Sequence, residues 1–340
     1  MPNSLEHMLN RPIVVGNRTI KNRLFLAAMT CLGNVALREL VADFGGCGLM
    51  FSEMCSAKRI PHENRNVSLY YRWRDEELPF LVCQIVGGNA QTMATAAAKI
   101  EAQGFFGVDI NFGCSASSIC RQNIGAALLK EPRRAVRIVE SVRKAVSIPL
   151  FVKFRTGWVD DPRISTELAK RFENAGADAL TFHPRVAPDR RTRPPKWEYI
   201  GLLKNAVSIP VFGNGNVFSQ ADCLNIMEKT GCDGVSIGRM AIARPWIFAA
   251  WSKGLKPDSN IYPAVAEKIV SLLAKHFDSR AALRRLKKFA PYFAANFRFG
   301  HSLFSKLSNV TSLDEGAEVF ASFFENNPET TSHPNVNLFC

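Results

Sequence analysis

The feature of this sequence that most constrains its fold is a pair of segments repeated along residues 24–250. Each pair is a short apolar run ending in polar residues or glycine, followed by an amphipathic stretch. Continuous apolar runs that alternate with helix-like stretches indicate a parallel sheet buried on both faces. The eight apolar runs are residues 24–28, 48–54, 80–86, 107–112, 150–154, 179–182, 211–213 and 234–237.

The number of repeats favours one architecture. Eight β-α units in about 230 residues match a (β/α)8 barrel, whereas a doubly wound sheet usually has five or six strands. A doubly wound dinucleotide-binding sheet also has a GxGxxG turn after its first strand, and residues 27–30 read Ala-Ala-Met-Thr. We therefore predict an α/β fold, a (β/α)8 TIM barrel, and keep the doubly wound sheet as the alternative.

The chain after the repeats has a different character. Residues 1–255 form the barrel domain in this prediction, and residues 256–260 read Lys-Pro-Asp-Ser-Asn, a composition typical of a linker. Residues 256–325 show helical patterning alone, which predicts a smaller all-helical C-terminal domain. Residues 326–340 are predicted to be a loose tail.

Composition and charge narrow the class of protein. The chain has 47% hydrophobic and 21% charged residues, which excludes a disordered or collagen-like chain. No run of 18 apolar residues is present, and the first residues lack a basic stretch followed by an apolar one, so neither a membrane span nor a secretory signal is expected. Nine cysteines without a CxxC pair predict no zinc site and a reduced, cytoplasmic setting.

The net charge of +13 favours an anionic partner such as nucleic acid or phosphate. The basic residues are densest in residues 256–308, where ten Lys and Arg face three Asp and Glu. The centre of this region has apolar residues at three- and four-residue spacing, which is the pattern of a helix. Its basic residues are Arg284, Arg285, Lys287 and Lys288. The cluster is either a surface for RNA or a solvated helix face.

In a barrel of this type the active site is built from the carboxyl ends of the strands, so the polar residues that end the runs are the candidates. The segments concerned are residues 52–54, 84, 109–114, 153–155, 183–185, 213–216 and 238–239. The side chains expected to meet over the barrel centre are Gln84, Asn111, Lys153 and His183.

Two of these segments predict a phosphate site. Many barrels bind phosphate in the loops after strands seven and eight, where small residues expose backbone N–H groups and a cation balances the charge. Residues 213–216 read Gly-Asn-Gly-Asn, and Gly238 with Arg239 adds a second glycine and a cation. The alternative is a pair of tight turns without a ligand.

Three side chains at or near these strand ends have chemistry that a barrel mouth could use. Lys153 at the end of a buried strand requires an anionic neighbour, which is either a ligand or a core carboxylate such as Asp109 or Glu53. His183 taken singly would be a structural histidine, but its place among the same strand ends makes it a site candidate. Cys114 lies in a polar loop, where an exposed thiol can be a nucleophile or a proton donor.

Taken in order, these segments resemble the tRNA-dihydrouridine synthase family over residues 20–308. The family's Asp-Ile-Asn-x-Gly-Cys motif is residues 109–114, and its Gly-Ala-x-Leu-Leu segment is residues 125–129. Its Val-Lys-x-Arg-x-Gly-Trp strand is residues 152–158. The other matching segments are residues 26–30, 52–58, 214–216, 238–239 and 244–246.

The resemblance implies an FMN enzyme that uses NADPH to reduce the C5=C6 bond of uridines in tRNA. It implies hydride transfer from reduced flavin N5 to uracil C6, with Cys114 as the catalytic residue that protonates C5. The cofactor-binding residues that it implies are Ala28, Met29, Gln84, Lys153, His183, Asn214, Gly215, Asn216, Gly238 and Arg239. The residues that it implies for substrate and RNA binding are Asn111, Arg155, Arg185, Arg284, Arg285, Lys287 and Lys288. A cytoplasmic monomer without a metal is expected.

The chain departs from the family pattern in the loop after Cys114 and near His183. Ser115 replaces the usual proline, Cys120 replaces an amide residue, and residues 183–186 read His-Pro-Arg-Val where His-Gly-Arg-Thr is common. The alternative enzyme is a small-molecule FMN reductase of the ene-reductase or dihydroorotate dehydrogenase kind, since residues 13–23 resemble the start of ene-reductases. A non-catalytic RNA-binding module is the alternative of another class. The basic helical region argues against the first, and the joint presence of the thiol, lysine and histidine argues against the second.

Overall fold

The computed structural model describes residues 4–189 and 193–339. Its strands are β1 (Ile13–Val15), β2 (Arg18–Ile20), β3 (Leu24–Leu26), β4 (Leu49–Phe51), β5 (Cys55–Ser56), β6 (Leu81–Val86), β7 (Gly107–Phe112), β8 (Leu150–Gly157), β9 (Ala179–Val186), β10 (Val211–Asn214) and β11 (Gly234–Ile237). Its α-helices are α1 (Ser4–Leu9), α2 (Val35–Phe44), α3 (Ala90–Ala102), α4 (Ser117–Cys120), α5 (Pro132–Ala145), α6 (Pro162–Asn174), α7 (Glu198–Lys204), α8 (Gln220–Thr230), α9 (Arg239–Ala243), α10 (Ile247–Ser252), α11 (Ile261–His276), α12 (Ser279–Ala294), α13 (Gly300–Asn309) and α14 (Leu313–Glu325).

Eight parallel strands close into a barrel. Strand β3 pairs with β4, β4 pairs with β6, and the order continues through β7, β8, β9 and β10 to β11, which pairs back with β3. The short strand β5 lies beside the end of β6. Each barrel strand lies within or overlaps one of the eight apolar runs, so the predicted TIM barrel is confirmed.

The barrel interior is filled by aromatic side chains from four of the strands. The ring centroids of Phe25 and Phe212 lie 4.3 Å apart, and those of Phe51 and Phe151 lie 5.4 Å apart. All four rings are buried, and each contributes on the order of 1.5–3 kcal/mol of burial free energy. The antiparallel hairpin β1–β2 adds three apolar side chains, Ile13, Val15 and Ile20, to this core. With the centre filled, polar side chains are left to the strand ends.

Two of the helices around the barrel begin at a side-chain cap. Ser219 accepts a hydrogen bond from the N–H of Asp222, whose carboxylate accepts one from the N–H of Ser219, and this capping box starts α8. Asn89 caps α3 with a single bond, because its side chain accepts the N–H of Thr92. These two caps set where the connections to α3 and α8 end.

The chain divides into two compact units. One contains residues 8–28 and 48–237, which hold every barrel strand, and the other contains residues 4–7, 29–47 and 238–339. The second unit is helical throughout its regular structure, with α12 packed on α11 and α13. It also includes α2, α9 and α10, which lie outside the predicted helical segment 256–325. The predicted domain boundary at residue 255 stays a prediction.

The segment after α14 is packed, contrary to the loose tail predicted for residues 326–340. The N–H of Thr331 donates to the carbonyl of Asn296 at 2.8 Å, and the ring of Phe339 stacks on Tyr292. Leu338 and Phe339 are buried. The loose-tail prediction was wrong for the described residues. The segment is mostly polar, but its last two described residues, Leu338 and Phe339, are apolar and pack.

Within the described residues, no helix is both long and apolar enough to cross a membrane. The same residues contain no group of three or more His, Cys, Asp or Glu side chains arranged to hold a metal ion.

Candidate active site

The carboxyl ends of the central strands bring several predicted site residues onto the inner face of the barrel. Residues two apart on a strand share a face, so Asp109 and Asn111 of β7 point the same way. In the register of β7 with β8, Asp109 lies opposite the core residue Phe151, and Asn111 lies opposite Lys153. Gln84 of β6 lies opposite Asp109. The four polar side chains therefore share the inner face of the barrel, with Gln84 and Asp109 at the level of Phe151 and with Asn111 and Lys153 one level beyond it.

Hydrogen bonds connect these side chains to the Cys114 loop. Gln84 Nε2 donates to Asp109 Oδ2 at 2.6 Å, and Asn111 Nδ2 donates to Gln84 Oε1 at 2.7 Å. Asn111 Oδ1 accepts the N–H groups of Gly113 at 3.0 Å and of Cys114 at 2.9 Å. The amide oxygen of Asn111 is thus already occupied by two backbone donors.

Burial and mutual charge shape the ionisation of these side chains. Burial raises the pKa of Asp109 to about 7, against the opposing effects of the Gln84 hydrogen bond and the Lys153 charge. Burial, and then the charge of Arg155, lowers the pKa of Lys153 to about 8. Among the described residues, Lys153 Nζ has no hydrogen-bond partner. An anionic ligand near Lys153 would favour its charged form.

Arg155 lies two residues after Lys153 on the same face of β8. Its Nε donates to the carbonyl of Gly113 at 2.5 Å, and its Nη1 is buried without a hydrogen-bond partner in the described part of the chain. Burial lowers the pKa of this guanidinium. Arg155, predicted to contact RNA, therefore supports the Cys114 loop and keeps an unused N–H group.

Glycine and tryptophan hold the Cys114 loop from its other side. The N–H of Ala126 donates to the carbonyl of Cys114 at 2.9 Å. Gly125 has a φ of +61°, and a Cβ there would lie 2.8 Å from that carbonyl oxygen, so only glycine fits. Trp158 Nε1 donates to the carbonyl of Ala126 at 2.7 Å, and the Lys130 ammonium lies 3.8 Å from the centroid of that ring.

A cleft of about 370 Å³ opens beside this loop. Its walls include Ser115, Ser117, Arg121 and Trp158, and it also contains Cys120. The Cys120 thiol donates to the carbonyl of Cys114 at 3.6 Å, and burial raises the pKa of Cys120. The loop of the candidate catalytic thiol thus borders a cleft lined by hydroxyl groups and a guanidinium.

The loop after β10 packs against His183. Gly215 has a φ of +116°, and a Cβ there would lie 2.7 Å from the His183 ring. Its carbonyl accepts a hydrogen bond from Trp197 Nε1 at 2.8 Å. Asn214 Nδ2 donates to the carbonyl of Ser236 at 2.7 Å, which ties the ends of β10 and β11 together.

Two predicted RNA contacts are corrected by the structure. Arg185 is 5% exposed and donates to Asn216 Oδ1 at 3.0 Å, so it braces the loop after β10. Arg285 is 3% exposed, and its guanidinium lies 3.9 Å from the Phe277 ring centroid. Neither side chain is therefore part of an exposed surface for a phosphate backbone. Arg284 and Lys288 of the same helix are exposed, and Lys287 is half-buried.

The other predicted cofactor residues are placed as follows. Ala28, directly after β3, is partly buried against the barrel core. Met29, Gly238 and Arg239 belong to the helical unit, where Gly238 precedes the first residue of α9 and Arg239 lies 5.9 Å from the Phe339 ring centroid. Their assignment to a cofactor stays a prediction.

From the sequence, Asp109 is predicted only as a possible anionic neighbour of Lys153. The structure makes it the end of the hydrogen-bond network, with Gln84 between it and Asn111. Ser52 belongs to the same set, because its Oγ accepts the N–H of Gln84 at 3.0 Å. The two-residue spacing of Asp109 and Asn111 was the signal that could have shown their common face.

Comparison with known proteins gives one consistent result. The family model for dihydrouridine synthases matches residues 25–323. The chain is 36% identical over 262 residues to tRNA-dihydrouridine synthase B of Pseudomonas aeruginosa, covering 77% of this chain and 78% of that one. It is 30% identical over 330 residues to the probable tRNA-dihydrouridine synthase 1 of Synechocystis, covering 94% and 92%.

Solved structures share the fold at low sequence identity. A 2-naphthoyl-CoA reductase complex matches with a TM-score of 0.57 and 16% identity, over 73% of this chain and 52% of that one. The enzyme TcOYE with pHBA matches with a TM-score of 0.54 and 11% identity, over 74% and 94%. These likenesses concern the barrel fold alone.

Proposed function

The chain belongs to the dihydrouridine synthase family, and from that premise we propose that it reduces uridines of tRNA to 5,6-dihydrouridine with bound FMN and with NADPH as the reductant. The observation that carries the proposal is the set of polar side chains Gln84, Asn111 and Lys153 above a closed core, joined by hydrogen bonds to the loop of Cys114. The reaction adds a hydride and a proton across a ring double bond. The site therefore needs a cofactor surface and one proton donor.

The residues at the barrel mouth fit FMN. Lys153 offers an ammonium group, and Gln84 and Asn111 each keep one amide hydrogen after their mutual bonds. A Cβ on Gly215 would lie 2.7 Å from the His183 ring, so glycine lets the backbone of this loop lie directly against His183. Gln84, Lys153 and His183 would hold the ring system, and the backbone of residues 214–216 would hold the phosphate. When bound, FMN supplies the hydride.

Cys114 is the proton donor in this proposal. Its loop is held by Asn111 from one side and by Ala126 from the other, so the thiol has a defined location. Lys153 favours negative charge at the mouth, which matches a reduced ring that carries it. Asn111 can contact the uracil only through its remaining N–H, because its oxygen is occupied by two backbone donors.

In this proposal, the positive charge outside the barrel mouth binds the RNA. The exposed residues Arg284 and Lys288 of α12 supply charge suited to a phosphate backbone, and Arg121 supplies it near Cys114. Residues 185–196 form a second basic segment of the sequence, in which Arg185 is buried and residues 190–192 lie outside the described residues. We propose a monomer working in the cytoplasm, where extrusion of the uridine from folded tRNA brings it to Cys114.

The decisive test is Cys114→Ala, with Cys120→Ala as the matched control. Dihydrouridine in tRNA, measured by nucleoside mass spectrometry, is expected to disappear in the first variant and to persist in the second. FMN content, read from flavin absorbance, should be unchanged in both because neither thiol is assigned to the cofactor. Wild-type levels of dihydrouridine from the Cys114 variant would refute its role.

The reductant is tested separately with the wild-type protein. Flavin reduction by NADPH is expected to be faster than by NADH at equal concentration, measured in a stopped-flow instrument without tRNA. Faster reduction by NADH would reassign the reductant and leave the role of Cys114 in place.

A further inference from the structure

The hydrogen bonds at the barrel mouth form one continuous relay with a fixed direction. One end sets the direction, because the N–H groups of Gly113 and Cys114 can only donate. Asn111 must therefore present its oxygen to the loop and its Nδ2 to Gln84. Gln84 is then obliged to present Nε2 to Asp109, which accepts at 2.6 Å.

The relay lies almost entirely out of solvent. Asp109 is 0% exposed, Gln84 1% and Asn111 8%. A buried amide left without its partner costs on the order of 1–3 kcal/mol, so loss of any one member disturbs the next. The end of the relay is consequently linked to the backbone that carries the candidate proton donor.

We propose that Asp109 is a positioning residue of the reaction, which orients Gln84 and Asn111 and through them holds the backbone of residues 113–114 that places the Cys114 thiol. This inference rests on the proposed function, in which Cys114 donates the proton. Asp109 itself touches neither the thiol nor the loop. Its effect passes through two amides, each of which has a single orientation compatible with both neighbours.

The burial of Asp109 favours the neutral form of its side chain in this role. Oδ1 is buried without a hydrogen-bond partner in the described part of the chain, and burial raises the pKa of this carboxyl to about 7. A neutral carboxyl with its proton on Oδ1 still accepts from Gln84 at Oδ2 and needs no compensating charge. Asparagine has the same shape and can offer the same acceptor, so it should replace aspartate in this role.

The test compares Asp109→Ala, Asp109→Asn and a matched control, Asp233→Ala. Asp233 also anchors a barrel strand, since it accepts the N–H of Val211 at 2.8 Å and pairs with Lys204, but it lies at the start of β11. Two quantities are measured: the turnover of tRNA, separated into kcat and KM, and the rate at which iodoacetamide alkylates Cys114, read by peptide mass spectrometry.

Asp109→Ala is expected to lower kcat by about tenfold or more, with KM for tRNA within twofold, because the loop is mispositioned and not lost. Its Cys114 alkylation rate should change at least threefold. Asp109→Asn should stay within threefold of wild type in both. Asp233→Ala should lower the melting temperature and leave the alkylation rate of Cys114 unchanged. Equal alkylation rates in wild type and Asp109→Ala would overturn the proposal, as would an Asn variant as impaired as the Ala variant.

Gln84→Met provides a second route if Asp109→Ala fails to fold. It fills the space and cuts the relay at its middle, so it should change Cys114 alkylation in the same direction. An unchanged Cys114 alkylation rate in Gln84→Met would also overturn the proposal. Alkylation is read without turnover. The relay is therefore tested even if Cys114→Ala turns out to retain activity, which would remove the proposed function and not the positioning.

Discussion

The barrel mouth and helix α12 both concentrate polar side chains, and they use them in opposite ways. At the mouth, the side chains of Gln84, Asp109 and Asn111 are buried and form hydrogen bonds with one another. On α12, Arg284 and Lys288 point into solvent. A buried polar group acts through a specific partner at a specific distance, whereas an exposed charge acts through a field that salt screens. Single substitutions should therefore have large effects at the mouth and small ones on the helix.

Helix α12 contains the same contrast in adjacent residues. Arg284 is exposed, and Arg285 is 3% exposed with its guanidinium over Phe277. The two are identical in the sequence and one position apart, which turns them by about 100° around a helix. Residue type thus gives no guide here to whether an arginine binds RNA or packs the helix.

Among the substitutions that compare the barrel mouth with α12, the largest effect is expected from Lys153→Met. It removes the cation of the barrel mouth at nearly constant length, and loss of one such electrostatic contact typically costs about 100-fold or more in rate. The rate of dihydrouridine formation, corrected for bound FMN, measures it. Lys144→Met, an exposed lysine of α5, is the control and should be neutral. A Lys153 variant within threefold of wild type would move the cationic role to Arg155.

Arg285→Ala should come next, as a loss of stability. The variant loses a cation–π contact and the packing of a buried stem, together about 1–3 kcal/mol of unfolding free energy. Urea denaturation measures it, and Arg284→Ala should stay within about 0.5 kcal/mol of wild type. Equal stabilities for the two variants would show that the burial of Arg285 contributes nothing.

For RNA binding the order is expected to be reversed, with the exposed residues of α12 having the larger effect. Arg284→Ala combined with Lys288→Ala should weaken tRNA binding several-fold and lower the slope of log K against log salt by about 1–2, because each lost phosphate contact removes just under one unit. Filter binding across a salt series measures both quantities. An unchanged slope would identify α12 as a solvated face and leave the RNA surface elsewhere.

The smallest expected effect is a pH dependence of stability assigned to Asp109. Its pKa is raised to about 7 in the folded protein, so between the unfolded value and pH 7 the unfolded chain has released a proton that the folded chain keeps. Stability should therefore fall as pH rises through that window. The Asp109→Asn variant should show a shallower fall in thermal unfolding. Identical profiles would mean that Asp109 is ionised in the fold.

The fold could be predicted from the sequence because its signal is repetitive. Each of the eight apolar runs indicates a buried strand. An error of two residues at the end of any one run does not change the number of strands. Strands β7 and β11 coincide with their predicted runs, while β8 and β9 extend beyond theirs into the site. The hairpin β1–β2 was not predicted, because three-residue strands carry too short an alternation to be recognised.

The site was predictable in its members and not in their connections. The order of motifs brought out Gln84, Asn111, Cys114 and Lys153, and the structure places them at neighbouring strand ends or in the adjoining loop. The sequence did not show that the side-chain oxygen of Asn111 accepts hydrogen bonds from backbone N–H groups. Hydrogen-bond direction depends on which atoms face each other across strands, and that register is set by packing.

The sequence by itself determined the architecture, the family and the chemical types at the barrel mouth, because periodicity and motif order are properties of the chain alone. Only the tertiary structure decided which of those groups are buried and which atoms they share. It turned Asp109 from a possible counter-ion into the end of a relay, and it removed Arg185 and Arg285 from the RNA surface. The physical reason is that burial is a property of the whole fold, and burial decides whether a polar atom needs a protein partner or is satisfied by water.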